Sequence, residues 1–200
     1  MLKLTSFFQL QYIIPLSIFM CASTCSRDCG GEGFTPQYQV ENNTIIQIEN
    51  NTSTFNLGAT IYIITVVENN QTTTDNQQIT ISDFHNYNTL DYNIALYKET
   101  NYDNLSKITI NQENIEIISG DVTVNSNPNI TVSNQLSGTS FSSKFGIKLL
   151  ETGTFYLGNS YLEGNNGTIT IYSGNVDGDL TLVTSIINSD NNDLYKFTVN

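Results

Sequence analysis

The sequence predicts an all-β chain folded as an antiparallel sandwich, and three features of it say so. From about Thr44 onward apolar side chains recur at every second position, the period that gathers them on one face of an extended strand. Asn-Gly and Asp-Gly pairs interrupt these runs at short intervals, and both supply the positive φ that tight turns require. No window carries apolar residues at i, i+3, i+4 and i+7 with capping signals, so helix outside the N-terminal leader is expected to be minor or missing.

The strands can be read in chain order. Ile61-Tyr62-Ile63-Ile64-Thr65-Val66-Val67 is apolar on both faces and reads as a central strand. Ile79 and Ile81 alternate with Gln78, Thr80 and Ser82, and Tyr92, Ile94 and Leu96 form the next such face. Between Leu105 and Val132 short alternating units follow one another, among them Ile108, Ile110, Ile115, Ile117, Val122, Val124 and Ile130. A meander is expected there, because a rung-like solenoid would need the period to continue and it breaks at Ser137-Gly138. Phe145, Ile147 and Leu149 alternate with Lys144 and Lys148, Ile169 and Ile171 with Thr168 and Thr170, and Tyr195, Phe197 and Val199 with Lys196 and Thr198. Turns are expected at Ser119-Gly120-Asp121, Asn165-Asn166-Gly167 and Asp177-Gly178-Asp179.

Two hundred residues suffice for one domain with a substantial core or for two small sandwiches in tandem. The 19 acidic residues against 7 basic ones give a formal net charge of −12, which excludes nucleic acid as a partner because phosphate binding needs a basic footprint. Most polarity is uncharged, and Asn doublets such as Asn42-Asn43 and Asn191-Asn192 sit between the apolar runs, where turn chemistry wants them. Asn-x-Ser/Thr sequons such as Asn70-Gln71-Thr72 arise by chance in a chain of this composition.

The first twenty residues carry Lys3 and then a short apolar segment broken by Gln9, Gln11 and Pro15, a pattern of a signal peptide more than of a membrane span. All three cysteines follow it directly, at Cys21, Cys25 and Cys29. A disulfide framework would spread its cysteines through the fold, and one His with three clustered Cys makes a poor zinc site. The sharper reading is a bacterial lipoprotein signal with the small residues Ala22-Ser23-Thr24 before Cys25, the lipidated residue; Cys21, preceded by the bulky Met20, is the alternative, and plain secretion comes third. Ser26 to Gly33 is polar and Gly-rich, a flexible tether. The expected organisation is therefore a leader over 1–24, a tether over 25–36 and the β-sandwich over 37–200, as one unit or two sub-sandwiches. The expected location is the outer membrane, on its periplasmic face or on the cell surface.

A Cys-Ser start followed by a polar stretch and a β domain resembles lipoproteins of the Bacteroidetes, especially of flavobacteria. Two body segments carry the same resemblance. Phe55-Asn56-Leu57-Gly58-Ala59-Thr60-Ile61 looks like the opening of an early core strand. The segment from Phe145 through Glu151-Thr152-Gly153 to Leu157 looks like a strand, an acidic-Gly turn and an aromatic strand. The resemblance implies an immunoglobulin-like sandwich, although the chain has no Trp and no body cysteine to supply the hallmarks of that fold.

Candidate chemistry is sparse. His85, the single histidine, lacks a Gly-x-Ser-x-Gly elbow to partner it, and the acidic residues fall mostly in turns and tethers, so catalysis is not expected. Asn175, Asp177 and Asp179 place oxygen ligands on alternate residues, as calcium loops do. Leu180 stands where such a loop needs Gly and Ile186 where it needs Glu, so a plain hairpin is the main reading and a weak calcium site the alternative. Ser189-Asp190-Asn191-Asn192-Asp193 could join it if their strands pair. Tyr97 and Tyr172 fall opposite their strands' aliphatic rows, which makes them candidates for stacking on sugars. The expected function is a non-catalytic envelope lipoprotein acting as an interaction or structural module, held to the membrane by its lipid; a carbohydrate-binding lipoprotein for polysaccharide capture is the alternative.

Overall fold

The structure, a computed structural model, describes residues 35–84, 88–100, 104–126, 129–160, 166–175 and 178–200. The leader, the three cysteines, most of the tether, His85 and Asp177 lie outside the described residues. Alternating sequence mostly becomes strand, although Ile81 falls in a 3-10 turn and Ile108 and Ile110 lie in no strand: β1 (Gln37–Glu41), β2 (Ile46–Ile48), β3 (Thr54–Phe55), β4 (Thr60–Glu68), β5 (Asn70–Thr72), β6 (Gln78–Thr80), β7 (Thr89–Glu99) and β8 (Leu105–Lys107). There follow β9 (Ile115–Ser119), β10 (Asp121–Val124), β11 (Ile130–Ser137), β12 (Ser140–Lys148), β13 (Gly153–Asn159), β14 (Ile169–Asn175), β15 (Gly178–Thr184) and β16 (Tyr195–Val199). Only short 3-10 turns interrupt them among the described residues.

The large sheet runs β2-β4-β12-β11-β7-β13-β16-β3, with β8 on β7, β9 on β12 and β10 on β11. The small sheet runs β1-β15-β14. Inward side chains of both, among them Ile63, Tyr92, Ile94, Phe145 and Phe197 from the large sheet and Val40, Ile171, Leu180 and Leu182 from the small one, meet in one apolar core. The all-β sandwich that the alternation predicts is the fold, and Thr35–Asn200 forms one unit around that core. Pairing is antiparallel except between β1 and β15 and between β3 and β16, which are parallel.

Two expectations about connectivity change. The stretch from Leu105 to Val132 is not a meander, since β8, β9 and β10 add to three different strands. The cause is a splayed hairpin: β11 and β12 pair only near their turn, Gln135–Ser137 against Ser140–Ser142. Beyond it β10 takes the freed edge of β11 and β9 that of β12. Gly120, expected in a hairpin turn, is the corner between these two fillers. Its φ is 78°, and a Cβ there would stand 2.6 Å from Ser143 Cβ and 2.9 Å from the Ser133 carbonyl oxygen. The Glu151-Thr152-Gly153 segment links a strand to an aromatic strand as expected, and it carries the chain past β11 and β7, which separate β12 from β13 in the sheet. It is pinned by Lys98, whose ammonium lies 2.6 Å from the Glu151 carboxylate.

Strand β4 lies between β2 and β12, as its apolar sequence predicts, yet Thr65 is fully buried while Val66 is 41% exposed. Register decides this, since the odd-numbered residues of β4 face the core. Thr65 is accommodated by a bond of 2.6 Å to the Tyr92 hydroxyl. Ser143 donates to Asn134 Oδ1 at 2.7 Å, and Asn134 Nδ2 donates to the Leu90 carbonyl at 2.8 Å. Either hydroxyl of the Thr65–Tyr92 pair can give the proton that joins them. Each of these buried polar side chains has a hydrogen-bond partner, which is what permits it inside the core. Burial drives the Tyr92 phenol well above its ordinary pKa.

Candidate functional site: the outer face of the small sheet

Alternation in β14 turns Ile169, Ile171 and Ser173 inward and Thr170, Tyr172 and Gly174 outward. In β15 Leu180 and Leu182 go in and Asp179, Thr181 and Val183 go out; in β1 Val40 goes in and Gln37, Gln39 and Glu41 go out. Register then sets these nine outward residues in three rows across the sheet. Gln37 lies beside Asp179 and Asp179 beside Gly174; Gln39 beside Thr181 and Thr181 beside Tyr172; Glu41 beside Val183 and Val183 beside Thr170. With strands ~4.8 Å apart and same-face residues ~6.8 Å apart, the grid measures about 10 by 14 Å between Cα positions.

Tyr172, at 72%, is the most exposed of the large hydrophobic side chains among the described residues. Its neighbours in the grid are small or polar. The Gln37 amide donates to Asp179 Oδ2 at 2.7 Å. A Cβ at Gly174 would collide with Asp179 Oδ1, so this glycine is what lets the carboxylate lie down in the sheet face. Two shallow depressions follow the face, one of ≈ 320 Å³ reaching from Gln37 to Tyr172, the other of ≈ 320 Å³ reaching from Gln39 to Thr74 and Asp75. Both are bounded by Gln37 and Thr181. The turn between β5 and β6 supplies Thr74, whose N–H donates to the Gln39 carbonyl at 2.8 Å and docks the turn on the edge of β1.

Tyr97, the other sugar-stacking candidate, is corrected: it is 5% exposed. It does sit opposite the aliphatic row of β7, but that part of the large sheet is covered. Leu194 closes over Ala95, Tyr97 and Tyr156 in a second small apolar cluster. Gly158 and Gly167 admit Leu194, since a Cβ on either would stand 2.7 Å from its Cδ2. The Tyr97 hydroxyl donates to the Asn159 carbonyl at 2.7 Å, and burial pushes its pKa up to about 12.

Of the calcium candidates, Asn175 and Asp179 flank the β14–β15 hairpin, with Asn175 opposite Gly178 in the register. Asn175 Nδ2 donates to the Asp83 carbonyl at 2.7 Å, and Asp179 is held by Gln37. The second acidic loop does not join them. Asp193 accepts a hydrogen bond from Thr168, just before β14, whereas Asn175 ends that strand, seven residues or roughly 20 Å away. No group of three His, Cys, Asp or Glu side chains able to hold a metal ion exists among the described residues. Gly178, expected to serve a turn, opens β15 and is needed for packing, because a Cβ there would stand 2.9 Å from the Tyr38 ring and 3.1 Å from the Phe84 ring.

One further concavity merits comparison: a pocket of ≈ 90 Å³ lined by Leu96, Ile108, Leu149 and Phe155 at one end of the core. It is well below the roughly 300 Å³ at which small-molecule sites begin. No helix among the described residues is long and apolar enough to cross a membrane.

No protein family and no curated protein matches the chain. Among solved structures it is similar to the human F-spondin reeler domain, at 9% identity and a TM-score of 0.38 over 83% of this chain and 95% of that one. A second structure, the Reelin-N domain of F-spondin, aligns at 8% identity and a TM-score of 0.32 over 83% and 92%. A non-cellulosomal cohesin from the hyperthermophilic archaeon Archaeoglobus fulgidus aligns at 16% identity and a TM-score of 0.27 over 73% and 92%.

Proposed function

We propose that the chain is a non-catalytic lipoprotein of the cell envelope, tethered through Cys25 or, as the alternative, Cys21, whose β-sandwich binds a partner through the outer face of β1, β15 and β14. The observation that carries the binding reading is Tyr172, an aromatic ring left in water at the centre of one edge of a grid whose other side chains are small or polar apart from Val183. Single exposed aliphatic residues are ordinary on protein surfaces, but a tyrosine 72% exposed gives up most of the burial that makes such a ring stabilising. Contact with a ligand restores it. Among interaction modules, this feature favours the polysaccharide-capture reading.

Two experiments test the proposal on the full chain in a bacterial host. Incorporation of radiolabelled fatty acid, lost in Cys25→Ala or in Cys21→Ala, is expected; an unlabelled, unprocessed product in the cytosol overturns the anchor. A photoreactive amino acid at position 172 is expected to give crosslinked adducts in living cells, while the same group at Asp91, on the outer face of the large sheet, gives none. Equal yields at the two positions, or none at 172, overturn the binding face.

A further inference from the structure

We infer that the outer face of the small sheet binds a neutral polysaccharide, Tyr172 stacking on a sugar ring while the Gln37–Asp179 pair takes hydroxyl groups beside it. This rests on the proposed role of that face as the binding surface.

Four observations converge on the ligand class. First, the exposed ring stands alone. Its grid neighbours are Thr170, Gly174 and Thr181, with Gln37, Gln39 and Asp179 beyond them. The centre of a protein interface is a contiguous apolar patch, and a membrane-inserting surface is more apolar still; neither describes one ring among amides, hydroxyls and a carboxylate. A sugar ring does match, since it offers an apolar C–H face to an aromatic ring and a rim of hydroxyls to hydrogen-bonding side chains.

Second, the polar groups are held ready. Asp179 gives Oδ2 to Gln37, and its Oδ1, above Gly174, has no hydrogen-bond partner among the described residues. That oxygen can accept from one hydroxyl, while the second N–H of the Gln37 amide reaches the Thr35 carbonyl at 3.5 Å, a long contact that a ligand hydroxyl can replace. Pre-positioned groups of this kind lower the ordering cost of binding.

Third, the charge selects. Every basic residue of 35–200, namely Lys98, Lys107, Lys144, Lys148 and Lys196, lies on β7, β8, β12 or β16 of the large sheet. The small sheet presents Asp179 and Glu41 outward, with Asp75 beside Gln39. A uronate or sulfate group would meet uncompensated like charge within the ~10 Å over which salt leaves it unscreened. Fourth, the two depressions are open and lie side by side, sharing Gln37 and Thr181 in their linings, an exposed shape that admits the middle of a chain and not only its end.

The test is affinity electrophoresis of the full chain, purified in a detergent without a sugar headgroup, through gels holding one polysaccharide each. Neutral probes are a β-1,3-glucan, mannan, xylan, starch and hydroxyethyl cellulose; acidic probes are alginate and polygalacturonate. Retardation by at least one neutral polymer is expected, weakened about 30-fold by Tyr172→Ala, as truncation of a central aromatic anchor does. Tyr172→Phe, which keeps the ring, should stay within about threefold of the parent, and Gln37→Ala should weaken binding with no change in thermal midpoint. Tyr172 is exposed, so its variants fold, which an unchanged midpoint verifies. Retardation by the acidic polymers alone, neutral binding that Tyr172→Ala leaves intact, or no retardation by any polymer overturns the inference. If crosslinking at 172 persists while every gel is negative, the binding face stands and its glycan ligand falls; if both are negative, both fall.

Discussion

Tyr92→Phe removes one oxygen from the middle of the core, and the hydrogen bond it breaks sets the size of the loss. Thr65 and Tyr92 share one bond of 2.6 Å, and neither residue is more than 2% exposed. Without the phenol oxygen the Thr65 hydroxyl loses its side-chain partner, while Ser143 keeps its bond to Asn134. One stranded buried donor costs about 1 to 3 kcal/mol, so a loss of about 2 kcal/mol is expected. Thr65→Val alone preserves shape and strands the buried Tyr92 hydroxyl in the same way; about 2 kcal/mol is expected. The informative variant is the pair. In the Tyr92→Phe background Thr65→Val deletes the stranded hydroxyl itself, so the second change should be neutral or stabilising, a coupling of about 1 kcal/mol or more. Urea unfolding followed by far-ultraviolet circular dichroism measures all four proteins, since the chain has no Trp to report fluorescence. Two losses that simply add would refute the Thr65–Tyr92 bond described for this core.

Three further outcomes follow from the same structure. Gly120 and Gly138 share a left-handed φ, 78° and 66°, but a Cβ at Gly120 meets Ser143 and the Ser133 carbonyl oxygen whereas one at Gly138 meets nothing within 4 Å; Gly138→Ala should cost about 1 kcal/mol and Gly120→Ala about 2 to 4 kcal/mol by chemical denaturation, and equal losses would refute the crowded corner. Tyr97 has its pKa raised by burial from 10.0 to about 12, so its neutral form stabilises the fold fully below pH 10 and that contribution fades as pH climbs toward 12; thermal midpoints should fall over that interval and fall less steeply in Tyr97→Phe. Leu194→Ala should destabilise by about 2 to 5 kcal/mol and make Tyr97 accessible to tyrosine nitration read by mass spectrometry, while unchanged protection would show that Leu194 is not what covers it.

The candidate binding face was legible in part. Tyr172 announces itself by standing between Ile171 and Ser173 in an alternating run, and Asp179 falls on the outward phase of its own strand for the same reason. Gln37 carried no comparable signal. It is 142 residues from Asp179, and they meet only because β1 pairs in parallel with β15, an association that no local pattern encodes. Gly174 was likewise silent, since its meaning lies in a carboxylate on the neighbouring strand.

Period two is a property of each short segment by itself, which is why the sequence alone determined that this chain is all-β, where most of its long strands run and which set of side chains each of those turns to one side. Whether that side meets water, core or another segment is a property of the assembled sheets, and tertiary structure decided it. Tyr97 and Tyr172 illustrate the division, for both stand opposite an aliphatic row, yet Leu194 closes over one and nothing among the described residues covers the other. Thr65 and Val66 illustrate it again: hydrophobicity favours burying the valine, but nine paired positions between β4 and β12 fix the phase of the strand, and a hydroxyl satisfied by Tyr92 tolerates the inside. Burial is settled by which faces the sheets can bring together, and a side chain's own polarity only raises or lowers the cost.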